Sequence, residues 1–134
     1  MRLIVHYMVA LLVLGIGDAL WLSYFAPAVF RPTLGAILLD DPRWIAVGLF
    51  YLAYTAGILI FAVSPAAREG SVWTALLYGA LFGFFAYGTY DATNFATIKA
   101  WTVQLALLDT AWGTFLTAAA SAVAYAALSS ARPV

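Results

Sequence analysis

Charge is scarce in this sequence: of 134 residues only 9% are Asp, Glu, Lys or Arg, and the formal net charge is zero. Soluble domains carry about 25% charged residues, so this chain has too little charge to cover a surface that faces water. The same scarcity excludes a disordered chain and a basic nucleic-acid-binding protein. Hydrophobic residues make up 66% of the sequence. These proportions predict a small integral membrane protein with no nucleic-acid partner.

Residue types that supply many catalytic and metal sites are also missing or rare. Cysteine is absent, which excludes disulfides, thiolate zinc sites and cysteine nucleophiles. His6 is the single histidine, so a bis-histidine haem or a histidine-rich metal site is excluded. We expect His6 to lie at the membrane interface, near the start of the first helix. No phosphate-cradling glycine loop and no Gly-x-Ser-x-Gly elbow occur, and no cofactor is predicted.

Long windows without charge define the organisation of the chain. A helix needs about 20 apolar residues to cross the hydrocarbon core of a bilayer. The windows predict four transmembrane helices, at roughly 3–24, 44–63, 72–94 and 103–128. Strands are not expected, because these runs are continuously apolar and lack a period of two. The predicted fold is therefore an all-α integral membrane protein, a four-helix transmembrane bundle in a single domain, 1–134.

Prolines and glycines predict where the chain turns. Ser64-Pro65 and Arg68-Glu69-Gly70 predict a turn at 64–71, and a second turn is expected at 95–102. The segment 25–43 is interrupted by Pro27, Pro32 and Gly35. It is predicted to be an interfacial loop with a short half-buried helix around 36–39, because it is too short and too interrupted to cross.

The cationic residues do not decide the orientation of the bundle. Three arginines are expected on one side and three cations on the other: Arg2, Arg68 and Arg132 against Arg31, Arg43 and Lys99. Because the two sides carry equal numbers of cations, the positive-inside rule does not predict an orientation. We expect a bacterial inner (plasma) membrane location with both termini cytoplasmic. A retained first helix is preferred to a cleaved signal peptide, because the apolar stretch is long and contains Asp18.

Three acidic residues lie inside the predicted helices. Asp18 comes late in helix 1, Asp91 late in helix 3 and Asp109 early in helix 4, so an up-down-up-down bundle places them in one leaflet. A carboxylate at the bilayer centre costs about 2.5–3.5 kcal/mol on insertion scales. The three are therefore expected to share a polar pocket lined by Asn94 and by Tyr87 or Tyr90. The alternative is that each lies near enough to the headgroups to be wet, with a structural role only.

Two patterns support a shared pocket. Gly79, Gly83, Tyr87 and Asp91 recur every four residues, and Gly-x-x-x-Gly allows two helices to approach closely. The inward face of helix 3 is thus predicted to lead to Asp91.

The second pattern is Asp-x-x-Trp. On a helix this spacing places an indole beside its own carboxylate. The pattern occurs three times: Asp18 to Trp21, Asp41 to Trp44 and Asp109 to Trp112. An aromatic belt at the interface would also explain the depth of these tryptophans.

One stretch resembles a known family. It runs Tyr90-Asp91-Ala92-Thr93-Asn94-Phe95-Ala96-Thr97, followed by Lys99-Ala100-Trp101 and Asp109-Thr110-Ala111-Trp112-Gly113. With the Gly-x-x-Asp-Ala-x-Trp of helix 1, it is similar to the small bacterial membrane proteins grouped as domain of unknown function family 2177. The resemblance covers nearly the whole chain. It implies four transmembrane helices and no established activity, and its signature matches Asp18, Trp21, Tyr90, Asp91, Thr93, Asn94, Thr97, Lys99, Asp109 and Trp112.

The function predicted from these residues is acid–base chemistry on, or binding of, a lipid or isoprenoid-like molecule. Asp91, Asp18 and Asp109 are the candidate catalytic residues, and the candidate ligand-binding residues are Asn94, Tyr87, Tyr90, Thr93, Trp21, Trp112 and Lys99. The alternatives are a proton- or cation-coupled transporter or channel and a non-catalytic lipid-binding subunit. Oxygen ligands for a hard cation such as Mg²⁺ are a further alternative, although no metal site is predicted. Small residues at 118–122 predict tight packing, within the bundle or across a homo-oligomer interface.

Overall fold

The computed structural model describes residues 2–129, and over that range all regular secondary structure is helical, with no strand. Four helices form the bundle: α1 (Arg2–Leu34), α2 (Trp44–Glu69), α3 (Val72–Thr97) and α4 (Val103–Ser129). Neighbouring helices run antiparallel. The α4 helix packs most extensively on α3 and also along α1, while α2 contacts α1 and α3. Arg132, one of the cations used to judge orientation, lies outside the described residues.

Three of the helices have the character of membrane spans. By length and composition α1, α2 and α3 could each cross a bilayer, with mean hydropathies of 2.1, 2.1 and 1.3. Large apolar side chains point outward from them, including Ile45 at 83% exposure and Trp73 at 76%. A surface of this kind is stable in lipid and not in water. The all-helical prediction is confirmed, and the chain is a membrane protein with three candidate spans.

The prediction that helix 1 ends near residue 24 is wrong. The helix continues through a π-helical turn at Trp21–Phe25 and then as α-helix from Ala26 to Leu34. Pro27 lacks a backbone N–H, and its ring would clash with the carbonyl four residues earlier in a regular α-helix. The wider turn avoids this clash, with the Ala26 N–H bonded five residues back to Trp21 O. The predicted loop therefore shrinks to residues 35–43, and the short helix lies at 26–34 instead of 36–39.

The prediction of a turn from residue 64 is wrong for the same reason. A π-helical turn at Leu59–Val63 precedes Pro65, and the helix continues through Ser64–Glu69. The chain reverses only at Gly70 and Ser71. Gly70 has a left-handed φ of 68°. The Ser71 hydroxyl accepts a 3.4 Å hydrogen bond from the Thr74 N–H and so caps α3. A left-handed residue favours glycine because it has no Cβ. The last turn is shorter than predicted, since α3 extends to Thr97.

The small-residue face of α3 packs against α4 as predicted. A Cβ atom added to Gly79 would lie 2.5 Å from Ser121 Oγ and 2.9 Å from Thr117 O, while one on Gly83 would lie 2.5 Å from Gly113 O. Two of these three contacts are with backbone oxygens, so the helices cannot accommodate a methyl group without separating. The Gly79–Gly83 face therefore sets how closely α3 and α4 approach.

This packing predicts different effects for two glycine substitutions in α3. Gly83→Ala should destabilise the bundle by about 1–3 kcal/mol, because overpacking forces the backbone to move. Gly88→Ala is the matched control, since its Cβ would lie 3.6 Å from the Thr110 methyl carbon, an ordinary contact. Unfolding in detergent titrated with sodium dodecyl sulfate measures both changes. Equal stability of the two variants would contradict the close approach at Gly83.

Candidate functional site

The three acids that were predicted to lie inside the membrane are buried in the same half of the bundle. Asp18, Asp91 and Asp109 are 7%, 1% and 8% exposed. Each comes from a different helix, and α2 contributes tyrosines to the same region. Buried carboxyls need hydrogen-bond donors because burial removes them from bulk water. The donors that each acid finds divide the cluster into two parts.

Asp18 forms the first part and is paired through both oxygens. The Tyr51 hydroxyl of α2 donates to Oδ2 at 2.6 Å, and the Trp112 indole N–H of α4 donates to Oδ1 at 3.1 Å. This one carboxyl therefore joins α1, α2 and α4. Donors from two other helices satisfy both oxygens, so we assign Asp18 mainly to holding the helices together.

The Asp-x-x-Trp spacing only partly predicts these pairs. Trp44 does donate to its own Asp41, at 3.2 Å. Trp112 instead donates across the bundle to Asp18, and Trp21 stacks on Trp112 with centroids 5.0 Å apart and rings inclined by 9°. The prediction of a local pair is thus wrong for Trp112, because a buried carboxyl on a facing helix competes for its N–H.

Asp91 and Asp109 form the second part. Their carboxyl groups interact with each other. The Thr110 hydroxyl also donates to Asp91 Oδ2, at 2.9 Å. Within residues 2–129, Asp91 Oδ1 is buried and has no partner with hydrogen-bond geometry. The same holds for the Trp101 indole N–H, although it lies near enough to interact with this carboxyl.

A small apolar cluster covers this acid pair at the interface. Leu34, at the end of α1, packs with Trp101 and Leu105, and all three are buried. The Tyr90 ring meets Trp101 edge-on with centroids 5.5 Å apart. The helical extension 26–34, which sequence reasoning predicted as loop, is what brings Leu34 to this position. Asp91 is thereby shielded on the side of the interhelical turn.

A cleft of about 320 Å³ lies between α2 and α3 with Asp109 among its lining residues. Its walls are aromatic and aliphatic: Phe50 and Tyr54 from α2, and Ala86, Tyr87 and Tyr90 from α3. Phe50 and Tyr90 are about half exposed, at 48% and 53%, so the cleft opens on the outer surface of the bundle. An apolar cavity with one convergent polar group is typical of a small-molecule site.

The remaining predicted site residues are divided between the cleft and the surface. Tyr87 and Tyr90 line the cleft, and the Asn94 side chain interacts with Tyr90. Thr93 is exposed and donates to backbone oxygens of its own helix, at 2.7 Å to Thr89 O and 3.0 Å to Tyr90 O. Thr97 and Lys99 are also exposed, Lys99 in the turn before α4. The structure therefore does not bring Thr93, Thr97 or Lys99 to the acids.

Sequence reasoning missed the contribution of α2. Tyr51 bonds Asp18, and the buried Tyr54 hydroxyl lies 2.8 Å from Thr117 Oγ1. Thr117 already donates to Gly113 O at 2.6 Å, so the Tyr54 hydroxyl is the donor in this pair. The available signal was the spacing of Tyr51 and Tyr54, three residues apart in an otherwise apolar helix, which places both on one face.

The cluster is not arranged as a metal site. Within residues 2–129 no group of three or more His, Cys, Asp or Glu side chains is placed to hold a metal ion. Both oxygens of Asp18 already accept hydrogen bonds from Tyr51 and Trp112. The hard-cation alternative has no support in this geometry, and the acid pair is left as the chemically distinctive feature.

Comparison with known proteins agrees with the membrane character of the fold. The family model described as a predicted membrane protein, DUF2177, matches residues 3–126. The chain belongs to the DUF2177 family. The match includes all three acids, the cleft and both π-helical turns. No curated protein and no solved structure matches the chain significantly.

The pairing of Asp18 predicts the effect of removing one hydroxyl from this DUF2177 protein. Tyr51→Phe should destabilise it by about 1–3 kcal/mol, because it leaves a buried carboxyl oxygen without a donor. Tyr7→Phe is the control, since the Tyr7 hydroxyl donates to Leu52 O at 2.8 Å in an exposed position, and it should change stability by less than about 0.5 kcal/mol. Detergent unfolding measures both changes. In an Asp18→Asn background, Tyr51→Phe should reduce the free energy of unfolding by less than it does in the wild type. An unchanged reduction would contradict the pairing of Tyr51 with Asp18.

Proposed function

We propose that this protein is a four-helix bundle of the bacterial inner membrane that binds the apolar chain of a lipid or isoprenoid-like molecule and acts on it by acid–base chemistry. The observation that carries the proposal is the cleft with apolar walls, Asp109 among its lining residues and Asp91 in contact with Asp109. An opening on the outer surface of a membrane bundle admits a molecule from the lipid phase.

The fourth span is part of this proposal. The α4 helix has 27 residues, which at about 1.5 Å per residue is about 40 Å and exceeds the hydrocarbon thickness. Its contacts support a full crossing. Near its start Asp109 and Thr110 meet Asp91, and near its end the carbonyl of Ala124 accepts a 2.9 Å hydrogen bond from His6 at the start of α1.

The acid pair supports proton transfer within an apolar site. Asp109 borders the cleft, and Asp91 lies behind it as the group that exchanges a proton with Asp109. Two like charges in contact repel strongly, so a pair that shares one proton is the favoured state. In a double-bond shift, one oxygen of Asp109 donates a proton to one alkene carbon while its other oxygen removes a proton from the carbon beyond. The carboxyl then ends in the protonation state in which it began.

A transporter is the second candidate, and a row of hydroxyls along α4 favours it. Thr110, Thr114, Thr117 and Ser121 lead from Asp109 toward the opposite end of the bundle. A proton or cation relay would need such a row. However, three of these hydroxyl protons are donated to backbone oxygens of α4, at 2.6–2.7 Å. A relay would have to break those bonds, so we rank the enzyme above the transporter.

The substrate class can be tested by mass spectrometry of lipids that copurify with the protein. We expect the wild type to retain an apolar or isoprenoid-like lipid that Ala86→Phe loses, because a phenyl ring at position 86 fills the cleft. Ala111→Phe is the control, since Ala111 lines a separate groove on the outer side of α3 and α4. Identical lipid profiles for all three proteins would overturn the proposal that the cleft binds a lipid.

Catalysis can be separated from binding by a second substitution. Asp109→Asn keeps the shape of the side chain and removes its titratable proton, so the variant should retain the copurified lipid but leave it chemically unconverted. Asp41→Asn, at an exposed acid, is the control and should leave conversion unchanged. If wild type and Asp109→Asn carry the same lipid in the same chemical form, the protein is a non-catalytic lipid-binding subunit.

The transporter has its own distinguishing measurement. Vesicles that contain the protein and a pH-sensitive dye report proton flux after a potential is imposed. The enzyme proposal predicts no flux above that of empty vesicles. A flux that Asp109→Asn abolishes and Asp41→Asn preserves would favour the transporter instead.

A further inference from the structure

A second cavity lies at the opposite end of the bundle from the acid pair. Its volume is about 220 Å³, and it is lined by polar and apolar residues: Arg2, Leu3 and His6 of α1, and Leu59, Val63, Ser64 and Ala67 of α2. An apolar groove that Leu3, Leu59 and Ser64 also line adjoins it. Because His6 lies 12 residues before Asp18 in the same helix, the cavity is about 18 Å from the acids along the axis.

One ring nitrogen of His6 has no hydrogen-bond partner within residues 2–129. The side chain, which was predicted to lie at the membrane interface, is 4% exposed and packs against α4. Its Nδ1 lies 2.9 Å from Ala124 O. A carbonyl oxygen only accepts, so Nδ1 carries the hydrogen, and in the neutral ring Nε2 is then an acceptor. Nε2 is buried and has no hydrogen-bond partner within residues 2–129, so a ligand that reaches it would have to supply a donor.

The charges around the cavity are positive. Arg2 lines it directly, and Arg68 Nη2 donates to the hydroxyl of Ser64, another lining residue, at 3.4 Å. Among residues 2–129, Glu69 is the acidic residue near this cavity, and its Oε2 accepts a hydrogen bond from the Thr74 hydroxyl. A guanidinium beside a half-apolar cavity at the end of a membrane helix is suited to a phosphate group.

We propose that this cavity binds the headgroup of an anionic phospholipid that carries a free hydroxyl, such as a glycerol phosphodiester. The phosphate oxygens accept hydrogen bonds from Arg2, and a headgroup hydroxyl donates to His6 Nε2. The apolar residues Leu3, Leu59 and Val63 then contact the start of an acyl chain. This site is independent of the cleft at Asp109, because its residues and its end of the bundle are different.

The recognition chemistry predicts a lipid preference that native mass spectrometry can measure. Detergent-solubilised protein is titrated with dioleoyl phosphatidylglycerol, phosphatidylmethanol or phosphatidylcholine. We expect phosphatidylglycerol to bind about five- to tenfold more tightly than phosphatidylmethanol, a phosphodiester of the same charge that has no headgroup hydroxyl. Phosphatidylcholine, with no hydroxyl and no net negative charge, should bind most weakly. Equal binding of the three lipids by the wild type would overturn the proposal without any variant.

Two substitutions separate the roles of the ring nitrogen and the guanidinium. His6→Asn places an amide N–H where Nδ1 was, so the bond to Ala124 O is kept while Nε2 is removed. This variant should bind phosphatidylglycerol no better than phosphatidylmethanol. Arg2→Gln should weaken both lipids about tenfold. Arg31→Gln is the control, at an exposed arginine near the other end of α1, and should change neither affinity. A phosphatidylglycerol preference that survives His6→Asn would overturn the role of Nε2.

A soluble ligand distinguishes a lipid headgroup from a free phosphate compound. Glycerol 3-phosphate has the phosphate and hydroxyls without acyl chains. We expect it not to compete with phosphatidylglycerol at millimolar concentration, because the apolar lining contributes to binding. Competition at that concentration would show that a soluble phosphate ester is the ligand and would overturn the lipid assignment. The Ala86→Phe test reports separately on lipid bound in the cleft. Either of the two proposed sites can therefore be disproved without the other.

Discussion

The structure depends on the need of three buried carboxyls for hydrogen-bond donors. In an apolar bundle an unpaired acid costs several kcal/mol, and the donors that prevent this come from other helices. Asp18 is held by Tyr51 and Trp112, so it fixes α1 against α2 and α4. Asp91 receives the hydroxyl of Thr110 and contacts Asp109, which fixes α3 against α4. The polar interior thus supplies the directional contacts that lipid-facing apolar surfaces cannot supply.

Helix number, the start of each helix and the inward face of α3 could be predicted from the sequence. Charge-free windows and the Gly79–Gly83 spacing are local signals, and local signals report periodicity and length well. The partner of a buried side chain is not local. Trp112 is three residues from Asp109 yet bonds Asp18, because the choice between two carboxyls depends on how α1 packs on α4. The α2 wall of the cleft was missed for the same reason, since it consists of Phe50 and Tyr54.

Proline was the main source of wrong boundaries. A proline predicts the end of a helix because it removes one hydrogen bond and clashes with the preceding turn. In this bundle Pro27 and Pro65 each follow a π-helical turn that absorbs the clash, so the helix continues for one or two turns beyond it. The consequence for the site is direct. Trp21 opens the first wide turn and stacks on Trp112, and the extension beyond it carries Leu34 over Trp101.

The back-bonded hydroxyls of α4 bear on how this helix enters a membrane during biogenesis. Thr114, Thr117 and Ser121 each donate to a carbonyl four residues earlier in the same helix. Their polarity is therefore neutralised before α4 meets any neighbour, and a translocon would encounter a segment less hydrophilic than its composition suggests. Asp109 is the exception, because its counterpart Asp91 is on α3. Since α3 is synthesised first, the partner that Asp109 requires is already made when α4 emerges.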